Sequence, residues 1–186
     1  PKALEYCNQA IKKESKNDLL YYKRGEINYV FEQYFEAIQD FTKALDIYSN
    51  ESDCLYMRGV SKYKLGFDAW ALEDLDKGLS ISPDDSEIWR YKAYILKDQN
   101  KWEESLNSYL KASQFDKSSS STLYEISQLY LRLSKYELAI TSIKQALEIE
   151  PMENYKKLLS EIIAKSGNHP IHSFSNFFDG DIIEND

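Results

Sequence analysis

The chain has 186 residues, a length that allows one domain or a small array of repeats. It carries 23 Lys and Arg residues against 31 Asp and Glu residues, a net charge of −8 that argues against nucleic-acid binding, which needs a basic surface. Only 6 glycines and 4 prolines are present, too few for a β-rich fold with tight turns, and a hydrophobic content of 42% excludes disorder. No uncharged apolar run approaches the roughly 18 residues that span a bilayer, so we expect a mostly helical protein without membrane insertion.

Two cysteines, Cys7 and Cys54, are too few for a disulfide framework. No hydrophobic secretory segment is visible near the start of the sequence. We therefore expect both thiols to be reduced and buried, and the protein to be cytoplasmic.

The strongest pattern in the sequence is a self-similarity at an offset of 34 residues. Four windows follow one another without a gap, at residues 18–51, 52–85, 86–119 and 120–153. Large apolar and small residues recur at fixed positions of these windows. The large positions hold Tyr21, Leu55, Trp89 and Leu123, then Phe41, Leu75, Tyr109 and Ile143, and the small ones include Gly25, Gly59, Ala93 and Ser127. Alternation of large and small residues is typical of closely packed helices.

Within each window the apolar residues recur at steps of three or four, which predicts helices. Gly66 and Asn100 mark a turn in the middle of their windows, and Pro83 and Pro151 mark the window ends. Each window is thus predicted to be an antiparallel helix pair. In front of the first window, residues 1–16 continue the same positions as the second helix of a partial repeat or as a cap. Residues 154–166 form one more amphipathic helix, a C-terminal cap with a polar outer side.

The repeated positions resemble the tetratricopeptide repeat (TPR) family. The resemblance covers about 136 residues and is clearest at Tyr21, Gly25, Tyr34 and Ala44 in the first window, and at Tyr130, Tyr136, Ala139, Ala146 and Pro151 in the fourth. It implies an all-α fold, a right-handed superhelical α-solenoid of about ten helices. Arg24, Arg58 and Lys92 depart from the family pattern, which prefers leucine there. Asp68 replaces the aromatic residue of the other windows, and we expect Trp70 to compensate for it.

Chemistry beyond binding is not indicated by the sequence. It contains no phosphate loop, nucleophile elbow or zinc-protease motif, so we expect no enzyme, no cofactor and no metal. The two histidines, His169 and His172, are interpreted as part of a solvated turn. The serine run 118–121 is predicted to cap the helix that follows, with phosphorylation as the alternative.

The resemblance implies that a protein or peptide partner binds along the inner wall of the superhelix, which the first helix of each pair forms. The family positions for ligand contact correspond to Tyr22, Glu26, Tyr29, Tyr56, Val60, Tyr63, Arg90, Tyr94, Lys97, Tyr124, Gln128 and Arg132. Tyrosine dominates this set, and its basic members gather in the third and fourth windows, where they could receive an acidic partner. The TPR subclass that grips the acidic C-termini of chaperones uses a clamp of Lys, Asn and Arg. Here its positions hold Tyr22, Glu26, Met57, Glu87 and Tyr91, so we exclude that subclass.

Three functions are compatible with these observations. The first is an interaction scaffold or adaptor with a tyrosine-lined groove. The second is a dedicated small acidic TPR chaperone for a secreted or membrane-inserting client. The third is a structural array that self-associates through residues 1–16 or through the acidic, aromatic tail at residues 167–186. The tail contains Phe174, Phe177 and Phe178 and is a candidate for docking in the groove, although a flexible tail is the simpler interpretation.

Overall fold

A computed structural model describes residues 2–167 as ten α-helices without a strand among them. The predictions for the tail and its histidines lie outside the described residues. The helices are α1 Lys2–Lys13, α2 Asp18–Val30, α3 Tyr34–Ile47, α4 Ser52–Lys64, α5 Asp68–Ile81, α6 Ser86–Asp98, α7 Trp102–Phe115, α8 Ser120–Arg132, α9 Tyr136–Ile149 and α10 Glu153–Lys165.

Each helix pair is joined by a turn with one residue in the left-handed conformation. This residue occupies the same position in all four pairs, at Glu32, Gly66, Asn100 and Ser134, with φ of 59°, 79°, 59° and 58°. Glycine and asparagine adopt this conformation readily, whereas Glu32 and Ser134 do so at some steric cost. The recurrence shows that the geometry belongs to the fold and not to one favourable residue.

The two helices of a pair pack closely because a small residue of the first faces a large residue of the second. A Cβ added at Gly25 would lie 2.7 Å from Cε1 of Phe41, and one added at Gly59 would lie 3.1 Å from the carbonyl oxygen of Ala71. In the fourth pair the small residue is Ser127, whose hydroxyl donates a hydrogen bond to the carbonyl oxygen of Ala139 (2.8 Å). Phe41, Leu75 and Ile143 are fully buried at the facing position.

The residues that replace the family leucine form ion pairs inside the first two repeats. The Arg58 guanidinium donates to both oxygens of Asp74 (2.7 and 2.8 Å), and the Lys62 ammonium lies 2.7 Å from the same carboxylate. Arg24 binds Asp40 in the same way, with Asn28 donating to it at 2.9 Å. Arg24 and Arg58 also reach a polar residue of the preceding second helix, Asn8 and Thr42 respectively.

The two ends of the array differ in how much they bury. Within α10, Tyr155, Leu158, Leu159 and Ile162 are all buried against α9 and α8. In α1 no residue is buried, although Ile11 packs against the core of the first pair.

Two expectations about individual side chains are wrong. Cys54 is buried, as expected, but Cys7 of α1 is partly exposed because no helix covers that side of α1 within the described residues. Trp70 does not fill the place of the missing aromatic at Asp68, because the residue is 58% exposed and its ring packs on Phe67, with the ring centroids 5.2 Å apart.

The pairs stack into a right-handed superhelical solenoid. Successive first helices (α2 on α4, α4 on α6, α8 on α10) contact each other more closely than successive second helices do. Elements on the inside of a curved stack lie closer together, so the first helices form its concave side. None of the helices among residues 2–167 is both long and apolar enough to cross a membrane.

Candidate protein-binding surface

Four tyrosines from two neighbouring helices form one ring cluster on the concave side. Tyr56 and Tyr63 of α4 meet Tyr91 and Tyr94 of α6, and their ring centroids lie 5.7–6.1 Å apart. Three of the four contacts are edge-to-face, the arrangement that the charge distribution of aromatic rings favours. We call this group the tyrosine cluster. Tyr94 is its most exposed member, at 42%.

Burial raises the pKa of three hydroxyl groups of the tyrosine cluster, those of Tyr56, Tyr63 and Tyr91. Burial, with smaller contributions from Glu87 and other neighbours, raises the pKa of Tyr56 to about 12. Burial also raises the pKa of Tyr63, and the hydrogen bond that its hydroxyl donates to Asp98 adds to the shift. These three hydroxyl groups therefore stay protonated, and can donate hydrogen bonds, well above neutral pH.

A cavity of about 370 Å³ lies beside the tyrosine cluster, between α4, α6 and α8. Its walls include Tyr56, Tyr91, Tyr94, Arg90 and Glu125, together with the buried Tyr109 of α7. The cavity is therefore lined by aromatic rings and bordered by charged groups.

Two pairs of charged side chains beside this cavity neutralise each other, whereas Lys64, which also lines it, has no ion pair among the described residues. Arg90 pairs with Glu87 within α6, and Lys97 bridges to Glu125 of α8 at 2.8 Å while its ammonium lies 5.5 Å from the ring centroid of Tyr94. An acidic ligand would therefore have to displace a carboxylate at each position. The basic residues of the third and fourth repeats are present as expected, but near the cavity their charge is already compensated.

A larger cavity of about 810 Å³ lies where α6, α8 and α10 end. Arg132 stacks over Trp102 at its rim, with the guanidinium carbon 4.0 Å from the ring centroid. The other charged residues around it are Lys97, Asp98, Glu161 and Lys165. Gln128 also lines this cavity.

The remaining residues predicted to bind a ligand lie outside the tyrosine cluster. Tyr22 packs on Phe41, Tyr29 on Tyr34, and Tyr124 stacks on Tyr155 at a centroid distance of 4.9 Å. Glu26 pairs with Lys23 at 2.7 Å.

The prediction that Val60 contacts a ligand is corrected, because this residue is only 3% exposed and cannot touch a ligand on this surface. Its position faces inward because the neighbouring helices enclose it.

Sequence reasoning missed several residues that line these cavities. Tyr109 occupies the large core position of its repeat, and Glu161 and Lys165 lie on the helix interpreted only as a cap. Spacing could not reveal them, because each contributes to the surface only after a later helix folds back beside α6 or α8.

Other predictions concern caps and metals. The Ser119 hydroxyl accepts a hydrogen bond from the backbone N–H of Thr122 and so caps α8, as predicted. Among residues 2–167 no group of three or more His, Cys, Asp or Glu side chains is arranged to hold a metal ion.

Comparison with known proteins agrees with this architecture. The tetratricopeptide repeat profile matches residues 120–151. A DnaJ protein P58IPK homolog of Arabidopsis thaliana is 32% identical over 127 residues, which cover 66% of this chain and 26% of that protein. The TPR repeat-containing protein MJ1428 of Methanocaldococcus jannaschii is 22% identical over 209 residues, covering 89% of this chain and 37% of that one. The chain thus spans between a quarter and two fifths of the length of these relatives.

Two solved structures share the fold. YrrB, described as a TPR protein with an unusual peptide-binding site, superposes with a TM-score of 0.71 at 24% identity, covering 86% of this chain and 82% of YrrB. MamA superposes with a TM-score of 0.75 at 15% identity, covering 83% of this chain and 89% of MamA. The repeats, the fold and the matches together show a tetratricopeptide repeat protein, a helical solenoid.

Proposed function

We propose that the chain is an interaction scaffold that holds a peptide segment of a partner protein against its concave side. The observation that carries the proposal is the tyrosine cluster beside a cavity of about 370 Å³ on that side. Tyrosine offers a rigid apolar ring and a polar tip, and it is among the residues that contribute most to protein interfaces. YrrB, which has a similar fold, is described as having a peptide-binding site.

The proposed contact surface has a central group of residues and two flanking groups, whereas the family resemblance does not distinguish among the predicted residues. Tyr56, Tyr63, Tyr91 and Tyr94 form the centre, with Arg90 and Lys97 beside it. Tyr22, Glu26, Tyr29, Tyr124, Gln128 and Arg132 extend the surface to both sides, and Val60 is removed from it.

Charge pairing indicates the kind of segment that would fit the centre. Because Arg90 and Lys97 are already paired with Glu87 and Glu125, an uncharged segment gains contact with the rings without breaking either ion pair. Burying an unpaired carboxylate there would carry a desolvation cost. We therefore propose that the part of the partner on the tyrosine cluster is uncharged.

Site-specific photo-crosslinking tests this proposal. A photoreactive phenylalanine analogue is placed at Tyr94 in the cavity wall or, as the matched control, at Tyr6, which is 69% exposed on α1. After irradiation in source lysate, mass spectrometry identifies the cross-linked proteins. We expect one or a few partners cross-linked at position 94 and absent at position 6.

A second arm tests the contact directly. The double variant Tyr63→Ala, Tyr94→Ala, with helix content checked by circular dichroism, should lose most of its affinity for a partner identified in this way. Cross-linking to the same proteins at both positions, or an unchanged affinity of the double variant, would show that the partner binds elsewhere.

The chaperone and self-association hypotheses differ from the scaffold in what they predict for this experiment. A chaperone should cross-link to a secreted or membrane protein and keep it from aggregating, and an array should cross-link to itself. The proposal assigns no catalytic step to the chain.

A further inference from the structure

Six large apolar side chains are exposed along one edge of the first two repeats. They lie at the turns between the two helices of each pair: Val30, Phe31, Phe35, Leu65, Phe67 and Trp70. We call this group the apolar edge. Val30 is 75% exposed and Phe35 60%, and Phe67 and Trp70 pack only on each other among aromatic rings. The group does not belong to the tyrosine cluster or to the cavity beside it.

The third repeat shows that the fold does not require apolar residues at these positions. The equivalent residues of the third repeat, 68 residues after those of the first and 34 after those of the second, are all polar: Asp98, Gln99, Lys101, Glu103 and Glu104. The backbone roles are nevertheless the same. Phe31, Leu65 and Gln99 follow the first helix of their pairs, and Phe67 and Lys101 precede the second. The third turn also contains the same left-handed residue, Asn100.

Exposed aromatic residues that packing does not require indicate an interaction surface. Phenylalanine and tryptophan are enriched at protein interfaces, and contiguous apolar patches on soluble proteins mark binding sites. Folding gains little from these rings while they remain in contact with water.

The charges around the apolar edge indicate the chemistry of its partner. Residues 30–36 and 64–73 contain four carboxylates, Glu32, Glu36, Asp68 and Glu73, and one ammonium, Lys64. Glu73 is paired with Lys77. The remaining carboxylates, Glu32, Glu36 and Asp68, still outnumber the single ammonium of Lys64, so the local charge is negative. A partner with Lys or Arg beside its apolar residues would complement this rim, whereas an anionic lipid surface would be repelled.

The spacing of the two turns fits a helix. The helices α2 and α4 that lead into the turns contact each other. Because the axes of packed helices are about 10 Å apart, we expect a similar distance between the two turns. Side chains two turns apart on a helix are separated by about 11 Å. An amphipathic helix can thus place one apolar side chain near Phe31 and Phe35 and the next near Leu65 and Trp70.

We propose that the apolar edge is a second docking surface, and that its partner is a basic amphipathic helix of another protein. This surface is independent of the concave side. A scaffold with both surfaces would hold two protein segments at once.

The test uses synthetic peptides of known chemistry. A fluorescent amphipathic helix of about five turns, with Leu and Phe at helical spacing and Lys on its other face, is titrated with the full chain and followed by anisotropy. A peptide with Glu in place of Lys is the charge control. We expect the Lys peptide to bind and the Glu peptide to bind at least about tenfold more weakly.

The decisive variant gives the apolar edge the residues of the third repeat: Phe31→Gln, Phe35→Glu, Leu65→Gln, Phe67→Lys and Trp70→Glu. Because the positions are exposed, helix content and the unfolding midpoint should stay close to those of the wild type. These substitutions add one net negative charge, which by itself would favour a basic peptide. We expect affinity for the Lys peptide to fall about thirtyfold nonetheless.

Two further variants separate the surfaces. Leu110→Gln with Phe115→Lys replaces exposed apolar residues of α7 and should bind the peptide as the wild type does. Tyr63→Ala with Tyr94→Ala changes the concave side and should also leave peptide binding unchanged, so that failure of one proposal is distinguishable from failure of the other.

Each other outcome overturns the inference. No binding of the Lys peptide, equal binding by the edge variant, or loss of binding in the tyrosine variant would remove the second surface. Sedimentation velocity supplies the remaining arm. A dimer that forms with the wild type and disappears with the edge variant would show that the edge binds a second copy of this chain.

Discussion

At the scale of single residues, the repeats fill the same position between their two helices with different kinds of side chain. The position that the family fills with leucine holds Arg24 and Arg58 in the first two repeats and Ile126 in the fourth. Each arginine is satisfied by an aspartate of the second helix, at Asp40 and Asp74. The fourth repeat has Ser142 at the aspartate position, so the ion pair and the apolar contact are alternatives within one fold.

Removing Asp74 should destabilise the protein strongly. Its carboxylate is 2% exposed and forms ion pairs with both Arg58 and Lys62, so Asp74→Ala leaves two cations without a carboxylate partner. We expect a loss of about 3–5 kcal/mol in the free energy of unfolding, measured by urea denaturation.

The matched control replaces the whole group by its fourth-repeat equivalents, with Arg58→Ile, Lys62→Tyr and Asp74→Ser. It should recover most of the lost stability, because no charge is left buried. If the triple variant is as unstable as Asp74→Ala, the ion pair is not the source of the loss.

Gly25 and Gly78 should respond differently to alanine. The new Cβ at Gly25 would lie 2.7 Å from the ring of the fully buried Phe41, which has no room to move, so we expect a loss of about 2 kcal/mol. At Gly78 the first contact is 3.1 Å, to the terminal methyl of Ile88. The helix preference of alanine offsets this contact, and the change should stay within about 1 kcal/mol. Thermal unfolding of the two variants compares them, and equal losses would contradict the argument.

At the scale of helices, the two terminal elements contribute unequally. α10 buries four large side chains against the fourth repeat, whereas α1 buries none completely. A helix stabilises an array mainly through the apolar surface that it buries on its neighbour.

Truncation should therefore destabilise the protein more at the C-terminal helix α10 than at the N-terminal helix α1. Compared with a chain that ends at residue 167, one that ends at residue 152 should lose on the order of 5 kcal/mol. A chain that begins at residue 14 should lose only about 1–2 kcal/mol, from the contact of Ile11 and the hydrogen bond between Arg24 and Asn8. Urea denaturation of the three chains measures both differences, and a larger effect at α1 would be inconsistent with this burial pattern.

At the scale of the whole molecule, tyrosine side chains link separate repeats. The tyrosine cluster joins α4 to α6, and the Tyr63 hydroxyl reaches Asp98, 35 residues away in the sequence. Burial raises the pKa of Tyr22, Tyr63, Tyr91 and Tyr109 above its ordinary value, and that of Tyr56 to about 12.

The raised pKa values predict that alkali weakens the fold. Below pH about 10 these tyrosines are protonated in both the folded and the unfolded chain, so their contribution to stability is complete. As the pH rises from about 10 towards 12, the unfolded chain ionises first and is stabilised, so the free energy of unfolding falls.

Urea denaturation across this pH range, with tyrosinate absorbance followed in parallel, measures the effect. The variant Tyr56→Phe, Tyr91→Phe should show a shallower fall, because it lacks two of these groups. The same slope in both proteins would mean that other groups, such as lysines, cause the loss.

The fold could be predicted from the sequence because the residues that specify it lie close together in the chain and recur in every repeat. The large and small residues at fixed positions of a 34-residue period determine which face of each helix is buried and against which neighbour. A single repeat of this pattern would be ambiguous, but four copies in register define an all-α solenoid of helix pairs. The serine that caps α8 follows from its position before the helix alone.

The surface was less accessible to sequence reasoning. The periodic pattern places Val60 and Tyr94 on the same kind of wall, yet Val60 is 3% exposed and Tyr94 42%. Which side chain stays open depends on the size of residues that arrive from the next repeat, and the pattern does not contain that information.

The class of fold and the kind of wall on which a partner could lie were therefore predictable from the sequence, because periodicity acts within a few helical turns. Three features needed the packed structure: the ion pair between Lys97 and Glu125, the meeting of Tyr56, Tyr63, Tyr91 and Tyr94 in one cluster, and the exposure of the apolar edge. These features join residues about 30 positions apart, and their distances are set by how the helix pairs stack.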